Sequence, residues 1–302
     1  MKLQALLAKL DYTVENGTLE KEVSAVVYDS RKVEKDCLFI CIKGMNFDGH
    51  DYVTEVIDKG ASVLVVEQDI VLPQTTDVTI IKVADTRYAM AFISAAWFGN
   101  PAEKLKVIGI TGTKGKTTTA YMVYHILEKV GIKAGLVGTV EVKNGKETIP
   151  ASHTTPESFL LQKYFREMVD NGAEYCVMEA SSQALSQYRF AGERFVCGIF
   201  LNLTQDHLDW HGTMENYYKA KKSLFRFCDN AVINTDDKYG KRLYDELSRG
   251  KDKISLVSVS SSDVADFFAV NIKLRAGGVS YWLSSSADEK SFPVTFSSSV
   301  QK

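Results

Sequence analysis

Residues Lys106 to Thr119 read KVIGITGTKGKTTT: an apolar run, a tight glycine turn, then Lys116 and Thr117 at the start of a segment with helical periodicity. That is the arrangement a bound phosphate needs. Backbone N–H groups around Gly112, Lys114 and Gly115 can cradle phosphate oxygens at a helix N-terminus, the Lys116 ammonium can bridge β- and γ-phosphates, and the Thr117 hydroxyl can hold Mg²⁺. The template G-x-x-x-x-G-K-[ST] is met in all but one feature. Ile110 stands where the first glycine belongs, and Gly112 lies three residues before Gly115 in a compact form of the loop. Thr113 and Thr118 complete the expected ATP contacts, and Met122, Val123, Ile126, Leu127 and Val130 are expected to form the apolar face of the following helix.

Further polar groups close apolar, strand-like runs, where open α/β sheets collect their ligands. Glu179 ends YCVME, Asp206 and His207 follow GIFLNLTQ, and Asn234, Asp236 and Asp237 end AVINTDD. A carboxylate in such a place is often only a helix cap. Three such places in succession behind a phosphate loop favour chemistry, and Asn234 is assigned to ATP with the loop. Glu179 and His207 with Thr117 could hold magnesium, although histidine is an unusual ligand for so hard a cation. The lysines of YYKAKKSLF read by composition as the basic face of a short amphipathic helix.

The elements that must position these groups alternate between apolar runs (CLFICI, ASVLVVE, KVIGIT, YCVMEA, VCGIFLNL, NAVINT) and helix-period segments at Arg87 to Phe98, Thr117 to Val130, Glu157 to Asn171 and Tyr217 to Phe227. The fold class is therefore α/β, and runs apolar throughout are those of parallel strands covered on both faces. Gly99, Asn100 and Pro101 punctuate the chain between a helix and a new strand, which predicts an N-terminal domain over 1–100 and a second domain over 101–302. After Ile254 the runs FFAVNIKLR and VSYWLS alternate apolar and polar residues around Gly277 and Gly278, a hairpin signal.

At 302 residues the chain can bury a large core without staples. With 36 basic against 38 acidic residues it lacks the basic excess of a nucleic-acid binder. The N-terminal MKLQALLAKL is too short and too interrupted for a signal or membrane span, so a cytoplasmic protein is expected. Cys37, Cys41, Cys176, Cys197 and Cys228 form no C-x-x-C pair and are expected to be reduced.

TGTKGKTT resembles the compact nucleotide loop of the Mur ligases and folylpolyglutamate synthases, ATP-dependent carboxylate–amine ligases. Lys114 stands where that family carries Asn. Further segments in the family's order resemble its branch that adds the third amino acid to UDP-N-acetylmuramoyl-L-alanyl-D-glutamate. YDSRKVEKDCLFICIKG is similar to the uridine-binding segment, implying contacts from Tyr28 and Ser30; SHTTPE is similar to the loop on the sugar-peptide, with His153, Thr154 and Thr155; EASSQALSQYR implies Ser181, Gln187 and Arg189 on the substrate. NLTQDHLDWHGTMENYYKAKKSLF is the longest match, and its A-K-x-x-L-F alignment selects Lys221 over Lys219 and Lys222 as a carbamylated lysine. Met45 and Asn46, and Gln183 with Ala184, depart from the family pattern.

The resemblance implies a small N-terminal UDP-binding domain and a mostly parallel-sheet, P-loop ATPase-type central domain. It implies ATP and Mg²⁺ as cofactors, with Thr117, Glu179, His207 and carbamylated Lys221 as metal ligands and Lys116 catalytic beside them. The partners implied are small molecules: UDP-N-acetylmuramoyl-dipeptide, ATP and an amino acid, L-lysine or meso-diaminopimelate. No segment resembles the family's third, amino-acid-binding domain, so the central domain reads as incomplete at its C-terminus and the chain is expected to bind substrates without completing ligation alone. Folylpolyglutamate synthase shares the loop but lacks the uridine-type N-terminal domain, and a protein that only binds UDP-sugar-peptide and ATP is the competing class.

Overall fold

A computed structural model describes residues 1–44, 47–71, 77–250, 254–261, 265–275, 278–287 and 291–297. Met45, Asn46 and Gly277 lie outside the described residues. Along the chain the elements are α1 (Leu3–Leu7), β1 (Thr13–Asn16), β2 (Val26–Val27), β3 (Leu38–Ile40), α2 (Val53–Asp58), β4 (Val63–Val66), β5 (Thr79–Lys82), α3 (Thr86–Trp97), β6 (Lys106–Thr111), α4 (Lys116–Lys129), β7 (Ala134–Val137), β8 (Glu141–Lys143) and β9 (Thr148–Pro150). They continue with α5 (Ser158–Asp170), β10 (Tyr175–Glu179), α6 (Ser182–Ser186), β11 (Phe195–Phe200), α7 (Leu208–His211), α8 (Met214–Lys222), β12 (Cys228–Asn234), α9 (Lys238–Ser248), β13 (Ser255–Ser260), β14 (Phe267–Arg275), β15 (Gly278–Ser285) and β16 (Ser291–Ser297).

The chain forms two compact units, and neither is continuous in sequence. Met1–Leu105, Pro156–Gly172 and Ser186–Glu193 make the first; Lys106–Thr155, Ala173–Leu185 and Arg194–Lys302 make the second. A single cut at residue 100 differs from this division because α5 belongs with the first unit. The α5 side chains of Leu161, Phe165 and Met168 are buried, and Phe159 packs on the first core beside Tyr28 and Phe98.

The first unit has a five-stranded sheet in the order β1-β5-β4-β3-β2, parallel except for β1. Every residue of β4 is buried. Val63 and Val65 join the cluster with α1 and α3, and Leu64 and Val66 the cluster with α2, so a period-2 strand covered on both faces has no polar position.

The second unit has an eleven-stranded sheet in the order β16-β15-β14-β13-β12-β11-β6-β10-β7-β8-β9. The strands from β14 to β7 in that order are parallel; β8 with β9, and β15 with β16, extend the two edges antiparallel. The hairpin expected from FFAVNIKLR and VSYWLS is the β14–β15 pair. β6 comes first in sequence yet sits inside the sheet, between β10 and β11, so the chain winds away from it in both directions and opens a crevice at its carboxyl end.

On α4 the expected apolar face divides in two. Ala120, Val123, Tyr124 and Leu127, at i, i+3, i+4 and i+7, pack with Ile110, Leu136 and Val177, whereas Met122, Ile126 and Val130 are exposed. Five apolar residues at those spacings span more than one helical face. The cysteines are free thiols, and among the described residues no helix is long and apolar enough to cross a membrane.

Candidate active site

β6 delivers the phosphate loop. Its last residue, Thr111, is buried and donates its hydroxyl to the Ala180 carbonyl (2.9 Å), which fixes the strand end before the chain turns. A Cβ on Gly112 would lie 2.9 Å from Leu201 Cβ, so the turn needs glycine to pass the end of β11. The loop is then clasped by the segment after β11. Thr113 N–H donates to Asn202 O (3.0 Å), Lys114 N–H to Asn202 Oδ1 (2.9 Å), and Asn202 Nδ2 returns a bond to Lys114 O (3.1 Å). Gly115, at φ 88°, is the N-cap of α4, and no side chain caps the helix there. The helix start is thus open to an anion.

Two lysines converge on one carbonyl. Lys116 Nζ donates to Gly112 O (2.9 Å) and Thr113 O (3.2 Å), and Lys221 Nζ also donates to Gly112 O (2.9 Å). Lys221 is 1% exposed and lies 4.7 Å from the centre of the Tyr217 ring. Burial and then the Lys116 charge push its ammonium down to about 7, against some support from Asp206. Lys116 is lowered too, by burial first and by Lys114 among its neighbours. Burial singles out Lys221 among the candidates in α8, since Lys219 is exposed and Lys222 is paired with Glu246 (2.7 Å).

Glu179, 1% exposed at the end of β10, is fully engaged. Its Oε2 accepts from the Thr117 hydroxyl (3.1 Å) and the Thr139 hydroxyl (3.1 Å), and its Oε1 from Thr139 N–H (2.8 Å). Its backbone carbonyl accepts from the Thr155 hydroxyl (2.7 Å), and Thr154 meets Thr139 through their hydroxyls (3.1 Å). Thr117 and Glu179 thus present adjacent hard oxygens, a donor set that fits magnesium. Among the described residues no group of three or more His, Cys, Asp or Glu could hold a metal by itself. Among the described residues His207 makes no hydrogen bond to Thr117 or Glu179; it caps α7 at φ 50° with its ring near Asp206 (3.9 Å) and edge-on to Tyr217.

Other expected residues hold the surroundings together. Ser181 Oγ accepts from Ala184 N–H (3.2 Å) in the first turn of α6, and exposed His153 meets Ser152 (3.1 Å). Asn234 donates to Leu201 O (2.8 Å) and accepts from Asp236 N–H (3.1 Å), so its side chain braces the same strand end that clasps the loop. Thr118 is exposed in the first turn of α4. Sequence reasoning missed Tyr217 and His211. Tyr217 OH meets Thr113 Oγ1 (3.2 Å), and His211 stacks on the Tyr217 ring and bonds Ser182 Oγ (2.9 Å), forming the floor under the loop.

In the first unit, Arg189 is the centre of a separate cluster. Its Nη2 donates to Glu157 Oε1 (2.6 Å) and Gln187 Oε1 (2.7 Å), and Glu157 Oε2 lies 3.7 Å from Arg87 Nη1. Tyr28 stands beside them, its phenol pushed up by burial and by Glu157 and Asp29. Ser30 is half-buried, and its carbonyl accepts from Lys59 Nζ (3.0 Å). Arg87 and Glu157 were not expected from the sequence.

The Mur ligase middle domain matches residues 110–299, and the Mur ligase family catalytic domain matches residues 22–98. The chain belongs to the Mur ligase family. A Mur ligase of Clostridium perfringens, UDP-N-acetylmuramoyl-L-alanyl-D-glutamate–2,6-diaminopimelate ligase, is 47% identical over 280 residues, which are 92% of this chain and 57% of the relative. The chain therefore spans little more than half the length of that Mur ligase. Its fold is shared with a solved structure of a ligase of the same name, at a TM-score of 0.82 and 23% identity over 97% of this chain and 59% of the other. It is shared also with a MurF ligase from Thermotoga maritima in complex with ADP, at a TM-score of 0.58 and 21% identity over 90% of this chain and 58% of that one.

Proposed function

We propose that the chain supplies the substrate- and ATP-handling parts of an ATP-dependent acid–amino-acid ligase of peptidoglycan precursor synthesis. The γ-phosphoryl group of ATP passes to the D-glutamyl carboxylate of UDP-N-acetylmuramoyl-L-alanyl-D-glutamate, releasing ADP and giving an acyl phosphate. The amine of the third amino acid then attacks the acyl carbon, the amide forms, and phosphate leaves. The clostridial relative's name supports 2,6-diaminopimelate as that amino acid.

The observation that carries this reading is the convergence of Lys116 and Lys221 on Gly112 O beside the Thr117–Glu179 pair. Lys116 is folded back onto two loop carbonyls; releasing it costs two bonds of about 1 kcal/mol each, less than a triphosphate returns through charge-assisted bonds. Lys221 is the residue to carry a carbamate. Burial favours its neutral amine, the form that attacks CO₂: a nitrogen–carbon bond forms as one C=O π bond of CO₂ opens, one proton leaves the nitrogen, and the neutral amine becomes an anion. Thr117 and Glu179, with His207 as the resemblance implies, would hold one Mg²⁺ and the Lys221 carbamate a second; such ions would supply charge neutralisation for phosphoryl transfer. Tyr28, Ser30, Gln187 and Arg189 are assigned to the substrate in the first unit, and His153, Thr154, Thr155 and Ser181 in the second. Calorimetric titration with ATP and Mg²⁺ tests the loop: Lys116→Ala is expected to weaken ATP by about 100-fold, and unchanged affinity would remove the assignment.

A further inference from the structure

We infer that Arg87, presented from the first turn of α3, is a second guanidinium of the substrate site in the first unit and takes an anionic oxygen group of the substrate, a carboxylate or a phosphate. The inference rests on the reading that Tyr28, Gln187 and Arg189 meet the UDP-linked substrate.

The first turn of α3 is rigid. Asp85 caps it through Tyr88 N–H (2.9 Å), and Glu67 Oε2 accepts from both the backbone N–H and the hydroxyl of Thr86 (2.8 Å each). A cation there opposes the helix dipole, a local cost that a structural role does not require. Among the described residues Arg87 makes one hydrogen bond, Nη2 to Lys43 O (3.2 Å). Its Nη1, at 3.7 Å from Glu157 Oε2, is drawn toward the carboxylate without bonding it, and among the described residues that buried oxygen has no hydrogen-bond donor. The guanidinium is aimed at the cluster with donors to spare.

Arg87 and Arg189 face one carboxylate, Glu157; Asp29, which also reaches Tyr28, is occupied by Arg31 (2.8 Å). The Arg87 charge also bears unfavourably on Arg189, so the two cations share a field. Among the described residues two guanidiniums thus face a single shared carboxylate, with the Arg189 side chain only 12% exposed, and an anion from the substrate complements that arrangement.

The test is calorimetric titration of the 302-residue chain and its Arg87→Gln and Arg87→Lys variants with UDP-N-acetylmuramoyl-L-alanyl-D-glutamate and with UDP alone, at two salt concentrations, with thermal unfolding to check the fold. Arg87→Gln is expected to weaken the full substrate by about tenfold or more and to flatten its salt dependence, with Arg87→Lys between it and the parent. Loss confined to the full substrate assigns the partner as a peptide carboxylate; equal loss with UDP assigns it as a phosphate. Affinity within about twofold of the parent, or weaker binding with an unchanged salt dependence, overturns the inference. A parent chain that binds neither ligand overturns instead the substrate reading on which it rests.

Discussion

Each unit gathers two cations on one oxygen-bearing group, and the two pairs are resolved differently. In the second unit Lys116 and Lys221 share a neutral carbonyl, Gly112 O, deep enough that Lys221 is pushed down to about 7. In the first unit Arg87 and Arg189 flank a carboxylate, Glu157. A lysine can shed its charge when burial makes it costly; a guanidinium cannot, so the arginine pair needs a counterion built into the protein. The lysine pair is therefore poised for a change of charge, and the arginine pair for fixed recognition.

The largest effect that would break this contrast is removal of the Lys221 charge. Its folded value lies below the ordinary lysine value of 10.5, so the unfolded chain binds more protons between about pH 7 and 10.5 and stability rises with pH across that window. Below pH 7 the penalty of burying the ammonium is fully present. Lys221→Met keeps the apolar stem and leaves Lys116 on Gly112 O. It is expected to be more stable than the parent by about 2 kcal/mol at pH 6, with the advantage shrinking as pH climbs. Urea unfolding at a series of pH values checks this; a variant less stable than the parent at pH 6 would show that the ammonium is a net stabiliser.

Glu157→Gln should act with the opposite sign. It leaves two guanidiniums with no carboxylate between them, and neither can deprotonate. A loss of about 1 kcal/mol is expected, partly recovered as salt screens the repulsion, with little change between pH 6 and 9. Thermal unfolding in low and high salt measures it. A loss that grew with salt, or a gain in stability, would mean that Glu157 is not what holds the pair.

These two sites also mark what the sequence could disclose. The phosphate loop was legible because its groups lie on one turn between a strand and a helix, so KVIGITGTKGKTTT carries the geometry in its order. The parallel sheets were legible from runs without polar positions. Lys221 was chosen over its neighbours by resemblance alone, and burial now supplies a physical reason. Arg87 and Glu157 were missed because their cluster is assembled from segments near residues 28, 43, 87, 157 and 189. The one local sign was a cation in the first turn of a helix. The interleaved units were hidden for the same reason: α5 has the periodicity of any amphipathic helix, and periodicity does not say which sheet it covers.

The smallest effect sharpens the choice of lysine. Lys222 is one residue from Lys221, yet it reaches Glu246 (2.7 Å) at a partly exposed position where Arg242 and the Tyr218 hydroxyl also bond that carboxylate. With two other donors left on Glu246, Lys222→Met is expected to cost under about 0.5 kcal/mol and to leave ATP affinity unchanged. Carbon-13 NMR of the chain under labelled CO₂ separates the neighbours further. A carbamate signal should survive in Lys222→Met and vanish in Lys221→Met, because the buried, weakly basic Lys221 amine offers CO₂ an uncharged nitrogen near neutral pH. The reverse pattern would move the carbamate to the partly exposed face of α8, away from the Gly112 carbonyl and from Lys116.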